Sequence, residues 1–131
     1  MKKNIIVNFA FFFWIALIFV LLLLPQGLFS SSSQKIISIP HLDKLVHCSL
    51  FGGFCFLTFF FVKQRLSFED KKIMLISFLL TFVFGFFTEV LQALTHQWCE
   101  RNFALSDLFA DSVGAILALG GITLGKKKIK L

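Results

Sequence analysis

From Ile5 to Leu24 the chain runs twenty residues with a single polar member, Asn8. A helix needs about 20 apolar residues to cross a hydrocarbon core, and a chain of 131 residues has no soluble core large enough to hide such a segment. Three more apolar stretches follow, over about Leu45 to Val62, Ile73 to Leu94 and Leu105 to Leu124. Pro25 and Gln26 end the first of them. The composition agrees: 57% of residues are hydrophobic and the mean hydropathy is +0.86, against roughly half apolar in soluble domains. The expected fold is therefore all-α, an integral membrane bundle of four transmembrane helices forming a single domain over residues 1–131. The first stretch has Lys2 and Lys3 before it and the run Ser30 to Ser33 behind it, as a signal peptide would. A signal h-region is only about 7–15 residues long, so an uncleaved helix is the better reading.

The net charge of +6 does not point to nucleic acid, because of where the charges fall. Lys2 and Lys3 precede the first stretch; Lys63, Arg65, Lys71 and Lys72 lie between the second and third; Lys126, Lys127, Lys128 and Lys130 follow the fourth. Ten of the thirteen basic residues thus share one side, and only Lys35, Lys44 and Arg101 fall on the other. Short basic clusters between apolar spans are topology determinants and contacts for anionic lipid. The positive-inside rule makes the ten-residue side cytoplasmic. Both termini are then cytoplasmic, and the loops 25–44 and 95–104 face outward.

The acidic residues follow the opposite rule. Glu69 and Asp70 sit among lysines in the cytoplasmic loop and read as solvated charges. The other five, Asp43, Glu89, Glu100, Asp107 and Asp111, map to the outer third, together with Lys44, His47, Gln92, His96 and Arg101. Residues three or four apart share a helix face. Asp43 and His47, Glu89 and Gln92, and Asp107 and Asp111 are three such pairs, each at the outer end of its helix. The third helix continues its polar stripe inward through Thr88, Gly85 and Thr81. The fourth continues as Gly114, Ala118, Gly121 and Gly125, small residues that let membrane helices approach closely. Asp107 and Asp111 should then face the bundle, toward Glu89 and His47. A charge at the centre of a membrane helix costs about 2.5–3.5 kcal/mol on insertion scales, so these groups are expected to pair, protonate or line a wet cavity. Arg101 is suited to holding a carboxylate or phosphate.

The ordered set Asp43-Lys44-x-x-His47, Glu89-x-x-Gln92, Arg101 and Asp107-x-x-x-Asp111-x-x-Gly114 resembles the VanZ-like family of small bacterial membrane proteins, over about residues 25 to 121. The chain departs from that pattern in two places. The family often has Asn where Asp111 stands, which implies that no charge is obligatory there, and the interval Ala93 to Glu100 is longer than usual. The resemblance implies a place in the bacterial envelope and, in some members, lower susceptibility to teicoplanin and related glycopeptides. It implies no defined biochemical activity.

Several residues also have a purely structural reading. Glu89 and Asp107 would lock three helices by hydrogen bonds, Asp43 would cap the second helix after Pro40, and Ser106 or Asp107 would cap the fourth. His47 alone would be a satisfied interface histidine and Arg101 a contact for lipid headgroups; Asp43, one turn from His47, favours a functional imidazole instead, because a carboxylate fixes its tautomer and basicity. His41, His96 and Glu100 read as loop residues. Cys48 and Cys55, seven apart on one face, read as small core residues, and a Cys48–Cys99 disulfide is geometrically conceivable. No Cys-x-x-Cys or His-Glu-x-x-His spacing is present, so the sequence carries no recognisable zinc signature and implies no cofactor.

Three functions fit these residues. A binding protein would use Asp43, Lys44, His47, Glu89, Gln92, Arg101, Asp107 and Asp111 to hold an amphiphile among the membrane lipids, such as a lipid-linked cell-wall precursor or a lipid-tailed glycopeptide. Lys44 and Arg101 would meet its phosphate or carboxylate. A membrane enzyme acting on a lipid headgroup would use Glu89 and His47 as acid and base, with Asp107 orienting His47; Glu89, Asp107 and Asp111 would suit a hard divalent ion. A small transporter subunit is the third, opposed by the end of the acidic residues at the outer third.

Overall fold

The computed structural model describes residues 2–25 and 41–129. These form α1 (Lys2–Leu23), α2 (Leu42–Lys63), α3 (Asp70–Leu94), the single turn α4 (His96–Cys99) and α5 (Leu105–Ile129), with no strand among the described residues. Four of the helices are long and apolar enough to cross a membrane. The chain is an all-α, multi-pass membrane protein. Gln26, the run Ser30 to Ser33, Lys35, Pro40 and Lys130, which bear on topology and boundaries, lie outside the described residues.

The four long helices run past the boundaries expected from hydropathy alone at one end or both. α2 starts at Leu42 rather than Leu45, α3 at Asp70 rather than Ile73, and α5 continues to Ile129 rather than Leu124. The added turns are polar, so a hydropathy window omits them although the backbone hydrogen bonding continues. The expected cap on α2 is not formed: His41 precedes the helix in the left-handed region (φ 67°) without a side-chain cap bond, and Asp43 lies within the first turn.

α2 is the central helix, and its tightest partner is α5. A Cβ added at Gly114 would collide with the Cys48 carbonyl, and one at Gly52 would come within 3.0 Å of the Gly114 oxygen. Lipid tails are as apolar as Leu, so this approach is favoured by close packing and polar contacts rather than by water exclusion. The small-residue seam of α5 is shorter than its sequence suggests. Gly114 and Ala115 are buried, whereas Gly121 and Gly125 are exposed with open space around them. On the opposite face of α2, the Trp14 ring of α1 covers Gly53 and its Nε1 donates to the Leu50 oxygen at 2.8 Å. Phe11, Ile18 and Leu22 of α1 pack there with Leu50, Phe51 and Phe54. A second apolar cluster, Phe59, Val62, Ile73 and Ile122, closes the lysine-rich end. There Asp70 is not a free solvated charge: its oxygens accept from Lys63 Nζ at 2.8 Å and Lys126 Nζ at 2.6 Å, joining α2, α3 and α5.

Candidate functional site

The polar residues gather where α2 begins, α3 ends and α5 begins. Helical spacing explains the convergence. His47 lies one turn inside α2 from Asp43, Asp111 one turn inside α5 from Asp107, and Glu89 more than a turn before the end of α3. His47, Glu89 and Asp111 are at most 1% exposed and Asp107 is 7% exposed.

His47 is the hub. Its Nδ1 donates to Asp111 Oδ1 at 2.9 Å and lies 3.9 Å from Glu89 Oε1. Its Nε2 lies 3.9 Å from Asp107 Oδ2. An ionised carboxylate can only accept, so the Asp111 contact places a proton on Nδ1; when the ring is neutral, Nε2 then keeps its lone pair. The ring is stacked near that of Phe51, with centroids 6.1 Å apart. Asp111, not Asp43 or Asp107, is thus the carboxylate that orients the imidazole.

The carboxylates divide into two sets on either side of the ring. Ligating atoms of His47, Glu89 and Asp111 lie within 4.8 Å of one another, and so do those of Asp43, His47 and Asp107. The trio Glu89, Asp107 and Asp111 expected for a hard cation is therefore split between two sets. His47 Nε2, Glu89 Oε1 and Asp111 Oδ2 are buried without a hydrogen-bond partner. Such groups are costly to bury unsatisfied.

Both nearby cations are held by the protein itself. Lys44 Nζ donates to Ser106 Oγ at 3.0 Å and Asp107 Oδ1 at 3.2 Å. Arg101 Nη1 donates to Asp43 Oδ1 at 3.1 Å. Ser106 and Asp107 therefore face α2 rather than capping α5. The end of α5 is served instead by Glu89, whose Oε2 accepts the Ala104 N–H at 2.9 Å. Sequence reading had no signal for this contact, because the donor is a backbone amide fifteen residues away.

Gln92 is not in the site. Its Nε2 donates to the Leu22 oxygen at 2.9 Å, on the α1 side of α3. Thr88 and Thr81 are buried as expected, but their hydroxyls bond back to Gly85 and Ser77 within α3. Gly85 does belong to the site: a Cβ there would meet Asp111 Oδ2 at 2.8 Å. The segment after Gln92 includes α4, ended by Glu100 in the left-handed region (φ 58°). His96, its first residue, donates from Nδ1 to the Arg101 oxygen at 3.0 Å, fixing the segment that carries Arg101. The three cysteines are free, and Cys99 Sγ donates to the Gln92 oxygen at 3.4 Å, so no Cys48–Cys99 bridge forms.

Deeper in the bundle, an apolar cleft of about 360 Å³ opens between α1, α2 and α3, lined by Phe11, Phe54, Thr58, Leu80, Val83, Phe84 and Phe87. Comparison of the chain with family models, curated proteins and solved structures finds no match.

Proposed function

We propose that this chain is a VanZ-like protein of the bacterial cytoplasmic membrane that engages the headgroup of an amphiphile at the outer leaflet and thereby lowers glycopeptide susceptibility. In this reading both termini are cytoplasmic, because the lysine-rich end is the positive-inside end. The observation that carries it is the His47 centre. Three helices bury polar atoms of His47, Glu89 and Asp111 without hydrogen-bond partners within the span, Glu89 Oε1 on the Nδ1 side of the imidazole and Nε2 facing Asp107, and ionisable groups in membrane helices mark ligand and substrate sites.

The ligand chemistry follows from the pairing. Lys44 and Arg101 already bond Asp107 and Asp43; of the buried polar atoms left without a partner, three are the acceptors Glu89 Oε1, Asp111 Oδ2 and, in the neutral ring, His47 Nε2, and one is a donor, Arg101 Nε. Such a site favours hydroxyl, amine or amide donors of a headgroup over a bare phosphate. The apolar cleft beside Phe54 and Phe84 suits a hydrocarbon tail. A lipid-linked cell-wall precursor and a lipid-tailed glycopeptide both have this two-part character.

A membrane enzyme is the second reading, favoured by the His47–Asp111 bond at 2.9 Å with Glu89 Oε1 beside it. A carboxylate that orients an imidazole is a recurrent acid–base arrangement. A transport path has less support, since the hydroxyls of Thr58, Ser77 and Thr81 bond their own helices.

The test is antibiotic susceptibility in a sensitive Gram-positive host expressing the protein. Wild type is compared with Glu89→Gln and Asp107→Asn at matched membrane levels, against teicoplanin and vancomycin. Protection selective for the lipid-tailed teicoplanin, lost in both variants, is expected. An unchanged response with well-expressed wild type would rule the reading out.

A further inference from the structure

We propose that His47 Nε2, Asp107 and Asp43 form a binding site for one divalent transition-metal ion of the Zn²⁺ class, with Asp111 as the carboxylate that orients the ligating imidazole.

The imidazole supplies the first argument. Its Nδ1 is committed to Asp111 at 2.9 Å, while Nε2 is wholly buried, has no partner and faces Asp107 Oδ2 at 3.9 Å. Metal-ligating histidines almost always donate their other ring N–H to a carboxylate or carbonyl, which fixes the tautomer and raises ligand basicity. His47 already has that arrangement. An Nε2···Oδ2 gap of 3.9 Å is too long for a hydrogen bond. An ion bonded to both atoms at about 2.0–2.2 Å spans that gap at a wide angle, and an approach of about half an ångström by the Asp107 carboxylate brings it to the tetrahedral separation.

The second argument is the donor set. Ligating atoms of Asp43, His47 and Asp107 all fall within 4.8 Å of one another. Lys44 and Arg101 each occupy Oδ1 of their aspartate, so Asp107 and Asp43 both retain Oδ2. One nitrogen and two oxygens match a three-ligand zinc site with a further position open for water or substrate. The imidazole selects against Mg²⁺ and Ca²⁺, which prefer all-oxygen sets. The side chain of Asp43 is 48% exposed, so an ion can enter from this rim.

Charge supplies the third. Among the described residues, Lys44 and Arg101 are the cations paired with the carboxylates Asp43, Glu89, Asp107 and Asp111, so with the carboxylates ionised and His47 neutral these described groups carry an excess of two negative charges. One divalent ion neutralises that excess inside a low-dielectric bundle. Metal binding here does not require that the site also engage an amphiphile.

Full-length protein is purified in detergent, stripped with a chelator and titrated with Zn²⁺, then with Co²⁺ for its optical spectrum. Folding of each variant is checked by helical circular dichroism and monodisperse elution. One equivalent of Zn²⁺ is expected for wild type and for a His41→Ala, His96→Ala double variant. His47→Gln and Asp107→Asn are expected to lose it. Asp111→Asn should weaken it by about 10–100-fold, the usual effect of removing a carboxylate behind a ligating histidine. Asp43→Asn, at an exposed position, reports on the site even if His47→Gln fails to fold. The proposal is overturned if folded wild type binds no Zn²⁺. It is equally overturned if binding survives both Asp43→Asn and Asp107→Asn, or if Glu89→Gln abolishes binding while those two variants leave it intact.

Discussion

The two carboxylate oxygens of Glu89 have different surroundings, and this separates its structural role from a chemical one. Oε2 accepts the Ala104 N–H and so satisfies a backbone donor at the start of α5; Oε1 faces His47 without a partner. Glu89→Gln can keep the first contact through its amide oxygen, whereas Glu89→Ala cannot. Stranding a buried donor costs about 1–3 kcal/mol. Thermal unfolding in detergent should therefore show Glu89→Ala destabilised by about that amount and Glu89→Gln much less. Equal losses in both variants would mean that the Ala104 contact contributes little. The same separation applies to the susceptibility assay, where Glu89→Gln tests Oε1 chemistry on an intact scaffold.

At the level of elements, the α2–α5 contact is set by a few small residues. The backbones meet at Cys48, Gly52 and Gly114, directly beneath the His47–Asp111 bond. Any side chain at Gly114 must push α5 away and carry Asp111 with it. Gly114→Ala is expected to destabilise by about 1–3 kcal/mol, the usual cost of overpacking, and to lengthen the His47–Asp111 contact. Gly121→Ala meets open space, so it should be neutral or stabilising by up to about 1 kcal/mol through helix propensity. Comparing the two melting temperatures in one detergent checks both. A Gly121→Ala loss as large as that of Gly114→Ala would argue that α5 packs along its whole length. α1 is attached differently, through Trp14 to the Leu50 oxygen, Gln92 to the Leu22 oxygen and Arg65 Nη2 to Asn8 Oδ1 at 3.1 Å. Asn8, the one polar residue of the first apolar run, is there for a partner on the α2–α3 turn.

On the scale of the whole molecule, the two ends of the bundle are chemically unlike. One holds the carboxylate-rich His47 centre. The other holds lysines over aromatic rings, with Lys126 Nζ 4.4 Å and Lys63 Nζ 5.7 Å from the Phe59 centroid, clasped by Asp70. The Asp70 pairs are exposed and screened by salt, so they organise that end more than they stabilise it. The asymmetry predicts orientation. A carboxy-terminal fluorescent-protein fusion should glow, and an alkaline phosphatase fusion at the same point should be inactive, as expected for a cytoplasmic terminus. The reverse pattern would place the His47 centre at the cytoplasmic face and remove the outer-leaflet reading.

The sequence by itself determined the number of spans, their helical nature and the gathering of Asp43, Lys44, His47, Glu89, Asp107 and Asp111 at one end. These follow from local rules: apolar length sets a span, and a period of 3.6 sets a face. Only the tertiary structure decided who pairs with whom. Spacing along one helix suggested Asp43 for His47, but the bond goes to Asp111 on another helix. Gln92 shares a sequence neighbourhood with Glu89, yet it turns to Leu22 because three positions rotate a helix by most of a turn and not a whole one. Gly121 and Gly125 continue the small-residue pattern of Gly114 but face open space. Helix rotation and crossing are fixed by packing between elements, and that information lies in the sum of contacts rather than in any local stretch of sequence.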